Sequence, residues 1–239
     1  MTFIPPHYLR GRKNAMFSFF KKDHFLVKTP WWLKRLFPGC VWDMPKEEKT
    51  IYLTFDDGPH PTITPFILDE LRKHNAKATF FCIGENVIKY PEVFRQILAA
   101  GHSVGNHTHR HVNGWRTEDE QYVKEIEEAD TYILSSLFRP PYGRIRRTQL
   151  RQLQEKHPET KVVMWNVLAG DWVADLTPER CFRRVKRNIA AGDIIVFHDS
   201  EKAWDRMSYA VPLLLRDFTE RGYRFERLKA EKTKHPLVH

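Results

Sequence analysis

The stretch Ile51-Tyr52-Leu53-Thr54-Phe55-Asp56-Asp57-Gly58-Pro59 decides the fold of this 239-residue chain. A short apolar run ends at two carboxylates and a Gly-Pro turn, which is typical of a buried strand. Because side chains alternate along a strand, Asp56 and Asp57 are predicted to point in different directions. One carboxylate could hold a metal ion while the other acts as a base. Alone, the stretch fits a solvated strand-end turn equally well, since Asp before Gly is common in turns.

Strands and helices are predicted to alternate through the rest of the chain. Seven strand–helix alternations without a break in composition favour a parallel sheet covered by helices. No Gly-rich phosphate loop follows the first strand, so a dinucleotide-binding fold is unsupported. A closed or nearly closed barrel fits better, with functional groups at the C-terminal ends of its strands. The predicted strands are 52–55, 78–83, 102–105, 138–141, 162–167, 193–198 and 223–228.

Capping signals mark the predicted helix starts. The segment Thr117-Glu118-Asp119-Glu120 predicts a capping box that opens the longest helix. Its buried face would include Val123, Ile126, Ile133 and Leu137. A second start is predicted at Thr177-Pro178, because proline is favoured at the first helical position.

Composition divides the chain into three segments. Residues 1–49 are a basic and aromatic N-terminal extension, with one short amphipathic helix near 31–37. We expect this extension to pack on the domain, with contact to a membrane interface as the alternative. Residues 50–230 form the main domain, and residues 231–239 form a C-terminal tail.

The charge balance excludes few partners. The net charge of +9 suggests an anionic partner, but no run of five basic residues occurs, so we expect no nucleic-acid binding. Cys40, Cys82 and Cys181 are too scattered for a disulfide framework. We predict no transmembrane segment, because no run of about 18 apolar residues exists.

The compartment is harder to assign from the sequence. The apolar part of residues 15–20 is short and is followed at once by two lysines, which argues against a secretory signal. The sequence therefore indicates a cytoplasmic protein, and Met16 is an alternative start to Met1.

Ionisable residues lie at or near the C-terminal ends of five of the predicted strands: Asp56-Asp57, the segment 106–111, Arg139, Asp171 and His198. His107 and His111 are four residues apart, so one helical turn would place both on one face and, with a carboxylate, form a metal site. His109 is expected to point away from that face. His235 and His239 share the spacing, but they lie in a tail where we expect no metal.

Five segments together resemble the ordered motifs of the polysaccharide deacetylase family, also called the NodB-homology or carbohydrate esterase 4 family. The resemblance covers roughly residues 49–228. It implies a distorted, TIM-like (β/α) barrel, which agrees with the seven alternations. The segments are Thr54-Phe55-Asp56-Asp57-Gly58-Pro59, His107-Thr108-His109-Arg110-His111, Arg139-Pro140-Pro141-Tyr142-Gly143, Asp171-Trp172 and Phe197-His198-Asp199.

The resemblance implies a divalent metal site and a base. Asp57, His107 and His111 would bind the metal, which is usually zinc, with cobalt and nickel also compatible with these donors. Asp56 would deprotonate the attacking water. Arg139 would pair with Asp56 and hold it in position, keeping the carboxylate ionised.

The resemblance also implies an acid and a sugar groove. His198 would protonate the leaving amine, and Asp171 would orient His198. Trp172, Tyr142 and Pro141 would line the groove, and the Tyr142 backbone N–H would help to bind the oxyanion.

The implied activity is removal of N-acetyl groups from an N-acetylglucosamine polymer, such as chitooligosaccharide or peptidoglycan. This substrate class would suggest the cell envelope, against the cytoplasmic location that the poor secretory signal indicates, so the compartment stays open. Two alternatives remain: a glycan-binding protein without turnover, and a hydrolase of a small amide. One position departs from the family pattern, because Leu168 stands where many relatives carry an additional Asp. Asn166 is a conceivable partial substitute for that Asp.

Overall fold

A sheet of parallel strands forms the framework of the protein. It is seen in a computed structural model that describes residues 26–46 and 48–230. The strands are β1 (Cys40–Val41), β2 (Thr50–Asp56), β3 (Ala78–Cys82), β4 (Ser103–Asn106), β5 (Leu137–Phe138), β6 (Lys161–Val163), β7 (Val167–Leu168), β8 (Ile194–His198) and β9 (Arg224–Phe225). The helices are α1 (Trp31–Leu36), α2 (Ile63–Lys73), α3 (Gly84–Lys89), α4 (Pro91–Ala99), α5 (Asp119–Asp130), α6 (Arg147–Lys156), α7 (Pro178–Asn188) and α8 (Trp204–Glu220).

The strand order is β1-β6-β5-β4-β3-β2-β8-β7, and β9 pairs with β2 beside this path. Every pairing between these strands is parallel. Only residues 164–166 join β6, near one end of the order, to β7 at the other. Such a connection reaches at most about 14 Å, so the sheet must curl until its ends approach each other. The predicted fold class, a distorted (β/α) barrel, is confirmed.

Strand β2 lies at the centre of this sheet, between β3 and β8. Ile51, Leu53 and Phe55 are fully buried. The ring of Phe55 contacts Phe80 at 5.2 Å and Phe197 at 6.3 Å between centroids. The apolar run therefore forms the buried strand that its composition predicts, and its end brings Asp56 to the rim of the barrel.

Two details of the strand prediction are wrong. The predicted strand 162–167 divides into β6 and β7, because its two halves pair at opposite ends of the sheet. A further strand, β1, comes from the N-terminal extension and pairs with β6. The described residues thus form nine strands, against about seven predicted.

The prediction for α5 is also partly wrong. Its N-cap is Glu118 without a side-chain hydrogen bond, because the Thr117 hydroxyl donates to the Asn113 carbonyl instead. Ile133 lies beyond the end of α5, and Leu137 belongs to β5. The longest described helix is α8, with 17 residues. At α7 the predicted start is confirmed, since Thr177 accepts a hydrogen bond from the Arg180 N–H.

The described part of the N-terminal extension is built into the barrel. Lys28 forms an antiparallel bridge with Val167 of β7, and its ammonium group pairs with the buried Asp193 at 2.5 Å. The chain then forms α1 close to the predicted position before it enters β1. Residues 26–41 therefore run from one end of the sheet to the other.

Several expectations concern residues outside the described ranges. The two possible starts, the short apolar stretch at 15–20 and the tail histidines all lie there. Within residues 26–46 and 48–230, the three cysteines are free, with Cys82 fully buried. None of the helices in these ranges has the length and apolar character needed to cross a membrane.

Candidate active site

The two adjacent carboxylates separate at the end of β2. Asp56 is the last residue of the strand and is buried. Asp57 follows with a φ of 84°, in the left-handed region, where the chain leaves the strand direction. The Asp56 carboxylate faces Arg139, whereas Asp57 Oδ1 lies 3.7 Å from His107 Nε2 and 3.2 Å from His111 Nε2. The two adjacent carboxylates therefore lie in two different environments.

His107 and His111 meet without the predicted helical turn. The segment after β4 is irregular, with positive φ at Thr108 and His111. Asn106 Oδ1 accepts the Thr108 N–H at 2.7 Å, and Thr108 Oγ1 accepts the Val112 N–H. These local side-chain bonds take the place of helical hydrogen bonds. The imidazole rings nevertheless lie 5.1 Å apart between centroids, so the helical explanation of their spacing is wrong.

The donor set of Asp57, His107 and His111 fits a divalent metal. Three of their ligand atoms lie within 4.8 Å of one another. His107 Nδ1 lies 2.7 Å from the Arg139 carbonyl and is assigned as a donor to it, which leaves Nε2 facing Asp57 as a lone-pair donor. Asp57 Oδ1 is buried without a hydrogen bond, as expected of an atom placed for a ligand.

The protonation states of these groups suit a cation. Burial lowers the pKa of His107 to about 4, so its ring is neutral at neutral pH. Burial raises the pKa of Asp57, but contact with His111 and the nearby charges of His198 and His107 outweigh this effect and hold the pKa below its usual range. A carboxylate and neutral imidazole are the forms that bind a metal.

Arg139 is fully buried and holds Asp56. One terminal nitrogen donates to Asp56 Oδ1 at 2.7 Å and to Thr54 Oγ1 at 2.6 Å. The remaining guanidinium nitrogens donate to the carbonyls of Val163 and Met164. A buried ion pair is tolerated when further hydrogen bonds satisfy its donors in this way. Because the Arg139 carbonyl also meets His107, this one residue orients groups of both the base and the metal site.

His198 and Asp171 form the second polar pair. His198 ends β8, and its Nδ1 lies 2.8 Å from Asp171 Oδ1, while its backbone N–H donates to Asp171 Oδ2 at 2.8 Å. Burial lowers the pKa of His198, but the charge of Asp171 and the hydrogen bond to it dominate and raise the pKa to about 10. In the metal-free protein the ring is therefore protonated at neutral pH, with Nδ1 engaged and Nε2 available to donate.

Aromatic side chains lie beside both histidines at the rim. The Trp172 ring meets His198 edge-to-face at 5.0 Å, and the Tyr142 ring lies 4.6 Å from His111. Both aromatic side chains are partly exposed to solvent. Tyr142 has a φ of 60° within a short 3₁₀ turn, Pro141–Gly143, that begins with the buried Pro141. The three residues predicted to line the sugar groove are thus at the rim, beside the polar cluster.

The structure also tests the expectations for His109 and Asn166. His109 Nε2 lies 3.2 Å from Glu128 on α5, so His109 points away from Asp57 as expected. The Asn166 side chain donates to Asp193, which precedes β8 at the strand end opposite His198. The suggestion that Asn166 replaces the missing Asp is therefore wrong.

The sequence analysis assigned no role to two residues that support the site. Thr54 accepts a hydrogen bond from Arg139, and Asp199 packs beneath the turn that follows Asp57. Asp199 is buried, its Oδ2 accepts the Thr64 hydroxyl at 2.5 Å, and its N–H donates to the Asp56 carbonyl. A Cβ on Gly58 would lie 2.0 Å from that Oδ2, so the turn after Asp57 packs directly on Asp199. Burial raises the pKa of Asp199 to about 7. The sequence feature that could have indicated a role for Asp199 is its position directly after His198 in the fifth motif.

Comparison with known proteins agrees with this geometry. Residues 43–160 match the family described as polysaccharide deacetylase. A peptidoglycan-N-acetylglucosamine deacetylase of Bacillus cereus is 35% identical over 190 residues, covering 77% of this chain and 89% of that protein. A chitooligosaccharide deacetylase of Azorhizobium caulinodans is 36% identical over 161 residues, covering 64% of this chain and 75% of that protein.

A solved structure shares the fold. The crystal structure of the Bc1960 peptidoglycan N-acetylglucosamine deacetylase, in complex with an N-hydroxybenzamide, superimposes with a TM-score of 0.76 at 30% identity. The alignment covers 84% of this chain and 95% of that one. The chain belongs to the polysaccharide deacetylase family, carbohydrate esterase family 4, and is a deacetylase hydrolase.

Proposed function

We propose that this protein is a metal-dependent N-deacetylase of N-acetylglucosamine units in a glycan polymer, with peptidoglycan as the first candidate and chitooligosaccharide as the second. The observation that carries the proposal is the division of Asp56 and Asp57 between Arg139 and the two histidines. The relatives named above act on these two polymers, which supports the substrate class.

The base in this proposal is Asp56. Asp57, His107 and His111 would hold a divalent cation, which would polarise the acetyl carbonyl and lower the pKa of the attacking water. Asp56 accepts the proton of that water. The guanidinium of Arg139 fixes the position of Asp56 and balances its charge in the buried site.

The acid is His198. When the C–N bond breaks, the leaving amine takes the proton from His198 Nε2, because Nδ1 is held by Asp171. Asp171 thus fixes both the orientation of the ring and the position of its protons. The charge of Asp171 and its hydrogen bond to the ring raise the pKa of His198, which favours the protonated imidazole that this step needs.

We assign the sugar-binding groove to the aromatic residues at the rim of the barrel. Trp172 beside His198 and Tyr142 beside His111 give a pyranose ring two apolar faces near the acid and the metal site. The Tyr142 backbone N–H is the proposed donor to the developing oxyanion. Pro141 fixes the start of the turn that presents Tyr142.

The test is acetate release from a panel of soluble peptidoglycan fragments, chitooligosaccharides and small N-acetyl amides, with and without a chelator. We expect acetate from the glycans only, loss of activity with chelator and recovery on adding metal. Asp56→Asn is the matched variant, expected to retain metal binding while losing activity. Glycan binding without acetate release would show a non-catalytic binding protein, and turnover of only the small amides would contradict the polymer assignment.

A further inference from the structure

The exposed face of α1 is apolar. Trp31, Trp32 and Leu36 are 70%, 51% and 46% exposed, and the helix contains no buried residue. At 3.6 residues per turn these three side chains and Arg35 fall within an arc of about 140°. Leu33 and Lys34, on the opposite side, are only partly exposed. The outward face of this helix therefore has the character that an inward face usually has.

An apolar groove with a basic rim adjoins this face. The groove has a volume of about 440 Å³ and is lined by residues that include Leu36, Phe37 and Leu150. Arg147 and Arg151 of α6 also line it. The Arg147 guanidinium donates to the Leu36 carbonyl at 3.3 Å and lies 5.8 Å from the Phe37 ring centre, which ties α6 to the end of α1. We call α1 and this groove together the α1 surface.

The sequence that precedes and includes α1 is strongly basic. Residues 1–42 contain eight Lys and Arg residues against a single acidic residue, Asp23, although Lys28 and Lys34 are already paired with Asp193 and Asp43. The segment 1–25, which precedes the described part of the chain, also contains five phenylalanines. Most of the net charge of +9 thus resides in the sequence that leads into and forms α1.

We propose that the α1 surface docks the protein on an anionic phospholipid bilayer. Tryptophan favours the boundary between lipid and water, and arginine forms paired hydrogen bonds with phosphate. A bilayer matches the combination of a shallow apolar face, a basic rim and a basic, aromatic preceding segment better than an apolar protein partner would. The charge asymmetry of residues 1–42 is the complementarity that selects an anionic surface.

The test is sedimentation of the full chain with vesicles of phosphatidylcholine alone or mixed equally with phosphatidylglycerol. We expect binding to the mixed vesicles that weakens with salt. Trp31→Ala/Trp32→Ala should lower the affinity by at least about tenfold. Arg147→Gln/Arg151→Gln should lower the affinity for the mixed vesicles by about thirtyfold, because each basic side chain near an anionic surface contributes about 1 kcal/mol.

A matched control removes the same kinds of group elsewhere. Arg95→Ala/Leu98→Ala changes one basic and one exposed apolar residue on α4 and should leave vesicle binding unchanged. Thermal melting of each variant reports whether it remains folded. Absence of binding to the mixed vesicles, or binding that survives the tryptophan substitutions, would overturn the proposal. Self-association that depends on Trp31 and Trp32, without vesicle binding, would instead make the α1 surface an interface between copies of the chain.

Discussion

Arg139→Met offers the sharpest test of how the buried centre is held. The substitution keeps an apolar side chain against Phe81, whose ring centre lies 4.0 Å from the guanidinium carbon. It removes the only cation that the structure shows bonded to Asp56 within the described residues, and it leaves the Thr54 hydroxyl and two carbonyls without this donor. Removing one partner of a buried ion pair costs about 3–5 kcal/mol. We expect the free energy of unfolding to fall by that amount.

The assay is urea unfolding of the chelated protein at neutral pH, so that metal binding does not add to the measured stability. Arg206→Met is the matched control, because Arg206 is also buried but, among the residues that the structure describes, donates only to the carbonyls of Asp171 and Lys202. It should cost about 1–3 kcal/mol. Adding Asp56→Asn to Arg139→Met should restore at least about 1 kcal/mol by removing the unpaired charge. A cost below about 1 kcal/mol for Arg139→Met, or no recovery in the double variant, would refute the reasoning.

Two further predictions concern the supporting residues. In metal-free protein the pKa of His198 is raised from 6.5 to about 10, so its contribution to stability is present below pH 6.5 and is lost as the pH rises through 10. Asp171→Asn should reduce that loss in urea unfolding followed from neutral to alkaline pH; an unchanged pH dependence would show that Asp171 does not set it. Gly58→Ala should destabilise the chain by about 1–3 kcal/mol, because the new methyl overlaps the Asp199 carboxylate. Unfolding at an unaltered urea concentration would contradict that packing.

The position of the functional residues at the rim of the barrel could be predicted from the sequence, because it depends on local strand patterns and on the parallel arrangement of the strands. An apolar run that stops at Asp56-Asp57 needs only strand alternation and a breaker to be interpreted. Parallel strands bring their C-terminal ends to one edge, so residues as distant as Asp57 and His198 could be expected together. The relation between Asp171 and His198, by contrast, came from the family resemblance, and the structure shows them 2.8 Å apart.

Other features depend on contacts that spacing does not reveal. The separation of four residues between His107 and His111 suggested a helix, but Asn106 and Thr108 fold this segment through side-chain hydrogen bonds. The chain crosses between β6 and β7 because of pairings at opposite ends of the sheet, which no local pattern encodes. Asp199 acts through tertiary contacts with Thr64 and Gly58, so its environment was visible only in three dimensions.

The central claim is that Asp57, His107 and His111 hold one divalent metal on which deacetylation depends. The most direct measurement is acetate release from an N-acetylglucosamine oligomer by metal-depleted protein as zinc is added, with bound metal quantified in the same samples. We expect activity to rise with added zinc and to level off at one ion per chain, and we expect His107→Gln to lower both metal content and activity. Full acetate release by protein that contains no metal, or activity unrelated to the amount bound, would contradict it.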